Sequence, residues 1–447
     1  MNTHSEALRL KLAKGPESPR ALCTAQGISQ PTLSRALTEL EADVVRIGAA
    51  RSIRYALRDD SRGFATLPVY RIDPEGRLHR MGALTPIRPD GYVMHQDDGQ
   101  VWTSEGLPWW LLDMRPQGFL GRAFARSHAT HLGLPASVAE WSDAQALRAL
   151  MVHGHDAVGN LLLGDVARER FLSAAPTTTI QLPDKPSRYL ALAQSVLHGD
   201  SGGSSAGGEQ PKFTAVVHTE VGPRHVLVKF SLDEQHAVAV RWRDLLLAEH
   251  LALETLRESG LSAARSWVVD EGTQRFLEVE RFDRVGTLGR RGLFSLAALE
   301  AEFVGDPRSP WPVLVDELVR QKVVDRSAAL GVQQLFAFGR LIGNTDMHNG
   351  NLSFIGDTGR PYSLAPAYDM LPMAFAPTSS GAMRQDVPAI TLHPHVHADV
   401  WKNMLVLAQR YLKRLQSTDR FSDAFAPCVQ ALVRHLNQAS EMMGRLA

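Results

Sequence analysis

Apolar residues recur at helical spacing at the start of the chain and then switch to alternation. Leu8 and Leu12, four apart, give one apolar face to a helix over Ser5–Lys14, which Gly15 stops. Ser18 followed by Pro19 predicts an N-cap with proline in the first turn, opening a short helix that ends by Gly27. Ser29 caps a third helix, whose Leu33, Leu37 and Leu40 share a face. Between the second and third helices, Gln26-Gly27-Ile28-Ser29 is a tight turn containing glycine, as a helix-turn-helix needs. The run VVRIGAARSIRYAL (44–57) then predicts two strands around Gly-Ala-Ala-Arg, the pattern of a wing.

Further on, LPVYRI, GYVMH and VWTSEG are short strand-like runs, followed by Trp109-Trp110 as core residues and a helical SVAEWSDAQALRALMVHG. The Pro/Thr-rich AAPTTTIQLPDKP (174–186) predicts a linker. Beyond it come a helix (YLALAQSVLHG), two strands (FTAVV, HVLVKF), a long helix (VRWRDLLLAEHLALETLRESG) and two more strands (SWVVD, RFLEVERFD). The remainder is mostly helical. The expected organisation is a winged helix-turn-helix over 1–58, a subdomain over 66–171 and a core over 189–447.

Charge singles out the first module. The whole chain of 447 residues balances 48 Lys+Arg against 48 Asp+Glu, which excludes a wholly basic nucleic-acid coat. Residues 1–58 instead hold nine Lys/Arg against five Asp/Glu, and 44–58 holds Arg46, Arg51, Arg54 and Arg58 with no acid. DNA binding is therefore expected, with Gln30, Thr32, Ser34, Arg35 and Thr38 on the polar side of helix three and Arg51 and Arg54 on the wing. Only two cysteines occur, Cys23 and Cys428, without a CxxC. That excludes a disulfide framework and fits a reducing cytoplasm. No apolar run approaches the ~18 residues of a membrane span, so no membrane partner is expected. His153-Gly-His155-Asp156 and His393-Pro-His395-Val-His397 have spacings that metal sites use, but loops and cores use them more often.

The core carries the candidate chemistry. Phosphoryl transfer needs backbone N–H groups around phosphates, a lysine, metal ligands and an aspartate that orients the attacking hydroxyl. The Gly/Ser-rich run from Asp200 to Lys212 supplies the first, and Lys229 at a strand end supplies the second. Asp346 and Asn351 have the Asp-x4-Asn spacing of a kinase catalytic loop. A hairpin formed by NLSFIGD and PYSLAP would return Asp369 toward Asn351, giving two oxygen ligands for Mg²⁺. The Gly run lacks the Walker spacing, which argues against a P-loop NTPase.

The segments SSAGGEQPKF, HVLVKF, VERFDR, LIGNTDMHNGNLSF and LAPAYDMLP, in this order, resemble the HipA family of bacterial toxin serine/threonine kinases. The fused N-terminal module resembles the family's YjjJ-type branch. The resemblance implies an α+β, protein-kinase-like two-lobed fold, with ATP and Mg²⁺ as cofactors. It implies Asp346 as the catalytic aspartate, Asn351 and Asp369 as magnesium ligands and Lys229 as the ATP lysine. It places the nucleotide among Ser205, Gly207, Gly208, Gln210 and Lys212, with Glu280 to Phe282 as the hinge beside adenine. Ser205, or the adjacent Ser204, aligns with the loop serine that family members autophosphorylate, and His348 braces the catalytic loop or acts as a base. The implied protein substrate is a translation component such as an aminoacyl-tRNA synthetase, and the implied partner is an antitoxin. One departure stands out. Arg241 occupies the helix position expected to carry the glutamate partner of Lys229, leaving Asp244 or Glu249 to substitute. Two other classes fit the same residues: a DNA-binding transcription regulator whose kinase-like domain only senses nucleotide, and a metal-dependent hydrolase using Asp346, His348 and Asp369.

Overall fold

Capping and apolar spacing set the first elements. Ser18 Oγ accepts from Ala21 N (3.2 Å) and Ser29 Oγ accepts from Thr32 N (3.4 Å), each ahead of a proline in the first helical turn. They open the second and third of three helices, α1 (Thr3–Leu12), α2 (Pro19–Gln26) and α3 (Gln30–Glu39). Leu8, Leu12, Leu22, Leu33 and Leu40 meet in one buried cluster between them. An antiparallel ribbon follows, β1 (Val44–Ile47) against β2 (Arg54–Leu57), with Ile47 opposite Arg54. The computed structural model describes residues 3–49, 52–173, 179–198, 210–357 and 359–444; Arg51 lies outside them.

Contacts group the chain into two units, residues 1–73, 77–116 and 127–174 in one, and 74–76, 117–126 and 175–447 in the other. Within the first, a five-stranded antiparallel sheet has the order β6-β5-β4-β3-β7. Its strands are β3 (Leu67–Ile72), β4 (Leu78–Ile87), β5 (Gly91–Gln96), β6 (Val101–Glu105) and β7 (Leu161–Leu163). Helix α4 (Gly118–Leu132) is divided, with residues 118–126 grouped in the second unit, while α5 (Asp143–His153) and α6 (Gly164–Ser173) complete the first. Strand β4 carries Arg80 and Pro86, and its pairing with β3 skips Met81 between Val69 and Tyr70, so no alternating pattern announces it. The β1–β2 ribbon shares a core with this sheet: Val45, Ile47 and Ala56 pack with Ile87 and Val93, and His95 Nε2 donates to Arg46 O (2.9 Å).

The second unit builds a sheet of order β10-β11-β9-β8 between two helices. Helix α7 (Lys185–His198) precedes β8 (Lys212–Thr219) and β9 (Gly222–Phe230); α8 (Ala237–Glu258) precedes β10 (Ser266–Glu271) and β11 (Gln274–Glu280). Strand alternation divides the side chains between the two faces. Val226, Val228, Phe230, Phe213, Val217 and Phe276 cluster with Tyr189 and Ala193 of α7. Leu277 and Val279 instead meet Leu246 of α8. Lys229, between Val228 and Phe230, therefore faces α8, and Lys212 lies opposite it across the β8–β9 ladder. A helical lobe follows. Short strands β12 (Arg284–Val285), β13 (Gly289–Arg290) and β14 (Leu293–Ser295) lead into α9 (Leu296–Phe303), α10 (Trp311–Arg320) and α11 (Arg326–Leu341). Strands β15 (Ser353–Ile355) and β16 (Ser363–Leu364) form the expected hairpin, and α12 (Ala398–Ser417) and α13 (Ala426–Gly444) close the chain.

The expected linker over 174–186 is corrected for its second half; residues 174–178 lie outside the described set. Ile180 is 6% exposed and joins the sheet, its N–H donating to Val216 O (2.8 Å) and its carbonyl accepting from His218 N (2.9 Å). Lys185 is buried, with Nζ 2.6 Å from Glu278 Oε1, and Tyr189 OH donates to the same carboxylate (2.7 Å). Composition suggested a spacer, but one isoleucine and one lysine make the segment part of the core. Glu278 is fully buried, and a buried carboxylate stripped of its cation is costly. Lys185→Ala should therefore lower stability by about 3–5 kcal/mol. Lys185→Met with Glu278→Leu should recover most of that in urea denaturation, whereas equal losses for the single and double variants would show that the ion pair is not what holds the segment.

Candidate active site

The C-terminal end of α11 shapes the site. A Cβ at Gly339 would lie 2.6 Å from Met347 Sδ, so the glycine leaves that methionine room to pack there. Gly343, at φ +81°, ends the helix in the left-handed conformation that glycine tolerates best. Asn344 follows, 2% exposed. Its Oδ1 accepts from Asp346 N (3.0 Å) and its Nδ2 donates to Asp369 O (3.2 Å). Asn351 Nδ2 donates to Asp346 O (2.8 Å), and His348 Nδ1 accepts from Gly350 N (3.0 Å). Trp311 Nε1 donates to His348 O (3.3 Å). Tyr368 OH donates to Gly350 O (2.7 Å) and so accepts from Ser353 Oγ (2.7 Å). Residues 344–351 are thus held to both the α10 side and the Asp369 segment.

Asp369 has φ +50°, a left-handed conformation that is uncommon outside glycine. Its carboxylate bonds Lys229 Nζ. The same Nζ bonds both oxygens of Glu249, at 2.7 and 2.8 Å. Burial alone would push the Lys229 ammonium down, but Asp369 and Glu249 beside it outweigh that and hold it above the ordinary lysine range. Burial likewise opposes ionisation of Asp369, yet Lys229 and Lys212 keep its carboxyl below the usual range.

Glu249 is the partner of Lys229. Arg241, at the position expected to carry that acid, turns elsewhere: its Nη1 donates to Phe375 O and Arg384 O (both 2.9 Å) and its Nη2 to Ala424 O (3.3 Å). Asp244 accepts from Ser422 N (3.0 Å). Both are buried and fasten the N-terminal half of α8, while Glu249, two turns on, reaches the sheet.

A cavity of about 350 Å³ brings most of the sequence-derived candidates together: Gln210, Lys212, Lys229, Asp346, His348, Asn351 and Asp369 line it, with Glu249. Trp242 and Leu246 of α8 also line it, as do Phe119 and Leu120 at the start of α4. Gln210 is anchored by its Nε2, which donates to Phe230 O. Glu280 and Phe282 are not among the lining residues. Glu280 N donates to Arg265 O (2.8 Å) and Arg281 N to His225 O (2.9 Å), so two N–H groups of the expected hinge are already spent; Phe282 packs against Tyr368. Ser204, Ser205, Gly207 and Gly208 lie outside the described residues. The histidine-rich segments form no convergent site among the described residues. His153 stacks on His128, while His395 Nδ1 sits 3.2 Å from Asp316 and His393 meets Phe336 edge-on.

Lys212 and Lys229 beside the oxygens of Asp346, Asn351 and Asp369 suit a polyphosphate with a divalent cation. Sequence reasoning missed Asn344, Tyr368 and the Phe119–Leu120 wall. The Asn at two before Asp346 was the one available signal. The Lys229–Glu249 assignment predicts a coupling of about 1 kcal/mol or more in the Lys229→Met/Glu249→Gln double-mutant cycle, and near zero for Lys229→Met with Asp244→Asn. Comparable coupling in both cycles, read from denaturation, would contradict it.

Known proteins give the lineage. The family model described as HipA-like C-terminal domain matches residues 204–436, and that for the YjjJ-like toxin middle domain matches 64–172. Toxin YjjJ of Escherichia coli (strain K12) is 40% identical over 438 residues, 97% of this chain and 98% of its own length. A Shewanella oneidensis MR-1 HipA, solved in a toxin–antitoxin complex with HipB and operator DNA, superposes with TM-score 0.51 at 14% identity, covering 85% of this chain and 97% of that one. The Helicobacter pylori proinflammatory kinase CtkA gives a TM-score of 0.38 at 13% identity, over 52% of this chain and 94% of its own. By its match to the HipA-like model over half its length, and to a YjjJ toxin over nearly all of it, the chain belongs to the HipA-like toxin family, in its YjjJ branch.

Proposed function

We propose that the chain is an ATP- and Mg²⁺-dependent protein serine/threonine kinase. The observation that carries this reading is the convergence of Lys212, Lys229, Asp346, Asn351 and Asp369 on one cavity. The donor set fits Mg²⁺, since Asn351 and Asp369 offer hard oxygens and that ion keeps few protein ligands beside phosphate and water. Bound there, Mg²⁺ would neutralise charge on the phosphate oxygens. Lys229 and Lys212 grip the phosphates as fixed cations. Asp346, solvent-exposed in the cavity lining, takes the proton of the acceptor hydroxyl as its oxygen bonds to the γ-phosphorus and ADP leaves. The acceptor is a protein side chain; the family resemblance suggests a translation component, with an aminoacyl-tRNA synthetase as the first to try. Autophosphorylation of Ser205 or Ser204 rests on the sequence motif alone.

Asp346→Asn should abolish transfer from γ-labelled ATP while sparing nucleotide binding, and Asp369→Asn should weaken Mg²⁺-dependent binding as well. Undiminished transfer by Asp346→Asn would refute the assignment.

DNA binding through the first module is the second part of the proposal. Gln30, Ser34, Arg35 and Thr38 of α3 are exposed and Thr32 partly so, opposite the buried Leu33, Ala36 and Leu40, and Arg54 is exposed on β2. The Shewanella HipA is found in a complex with HipB and operator DNA; here a separate antitoxin partner and the fused module are both candidate routes to DNA. Removing residues 1–58 would uncover Ile87 and Val93, so point substitutions are the better probe. Arg35→Ala and Arg54→Ala should each flatten the log–log salt dependence of DNA binding by about 0.9 for every phosphate the arginine neutralises. Unchanged slopes in both would argue against this face.

A further inference from the structure

Asn344 joins the two segments that phosphoryl transfer must keep in register. Its carboxamide uses both ends: the oxygen takes the N–H of Asp346 and the nitrogen gives to the carbonyl of Asp369. The side chain is not needed to end α11. Gly343 N already donates to Arg340 O (3.3 Å) and Asn344 N to Gly339 O (2.8 Å). Asp369 does need outside support. Only Lys322 and Asp369 among the described non-glycine residues have positive φ, and such a conformation persists where its surroundings over-determine it. Lys229 holds the Asp369 carboxylate and Tyr368 ties the preceding residue to Gly350. Asn344 holds the Asp369 backbone itself, and from the same rigid group holds Asp346.

We propose that Asn344 is a positioning residue for the reaction: one buried carboxamide sets the spacing between Asp346, at the acceptor hydroxyl, and Asp369, at the metal. The inference rests on the kinase reading above. The chemistry of the group is specific. Aspartate has the same shape and keeps the acceptor for Asp346 N–H, but it loses the donor and turns a carboxylate toward the Asp369 carbonyl. Leucine fills the space and makes neither bond.

The test compares full-length wild type, Asn344→Asp and Asn344→Leu by calorimetric titration with ATP, with and without Mg²⁺, by transfer rate and by thermal melting. Metal-free ATP binding should stay within about twofold, because Lys229 and Lys212 are untouched. The gain in affinity that Mg²⁺ confers should shrink by about tenfold or more, the size seen when a residue orienting a metal ligand is removed. The transfer rate should fall about 100-fold, as a misplacement of roughly 1 Å produces. Wild-type Mg²⁺ gain and rate in both variants would overturn the proposal and leave the kinase reading standing. Equal loss of metal-free binding, Mg²⁺ gain and melting temperature in both would overturn it too, by making Asn344 a folding residue. A wild type with no Mg²⁺-dependent ATP binding would defeat the kinase reading and this proposal together.

Discussion

A single ammonium group organises the site. Lys229 is 5% exposed, and a cation at that depth persists only if anions surround it. It finds Glu249 from α8 and Asp369 from the segment after the β15–β16 hairpin. Three pieces of chain far apart in sequence are thus tied at one atom: a sheet strand, the helix behind it and a loop of the helical lobe. Much of the second unit secures those three pieces. Arg241 and Asp244 fasten the start of α8 to carbonyls and to Ser422, α7 backs the opposite face of the sheet, and Asn344 and Tyr368 lock the Asp369 segment onto residues 344–351.

What the sequence made legible was local. Ser18-Pro19 and Ser29 announced their helices because a cap acts through its own next three residues. HVLVKF announced β9 because alternation is a property of adjacent positions. The Asp-x4-Asn spacing pointed to residues that line one cavity for the same reason, since loop and hairpin are contiguous. Which of the two candidate acids, Asp244 or Glu249, partners Lys229 was not legible. Arg241 and Glu249 are eight residues apart, about 12 Å along a helix, and only the packing of α8 on β9 and β11 decides which turn meets the lysine. Asn344 was hidden for a similar reason: its importance lies in a bond to Asp369, twenty-five positions away. Ile180 and Lys185 were hidden by their neighbours, because Pro and Thr dominate a composition while two side chains decide the packing.

The first module is built into its surroundings. The ribbon that carries Arg54 shares the Ile87–Val93 apolar cluster, so residues 1–58 and the sheet of the first unit cover each other. The boundary that helix spacing, caps and the wing pattern place at residue 58 therefore cuts through a core. The exposed polar face of α3 lies outside that core, which frees it for a partner without cost to packing.

Under the proposed function, the Lys229 cluster binds Mg²⁺-ATP and passes its γ-phosphate to a protein hydroxyl. The most direct measurement is incubation of wild type and Lys229→Met with γ-labelled ATP and Mg²⁺, with phosphosites mapped on the chain and on added candidate substrates. Labelled serine or threonine is expected with wild type and none with a folded Lys229→Met. Equal labelling by the two proteins would contradict it, as would a wild type that binds nucleotide and transfers no phosphate to any protein.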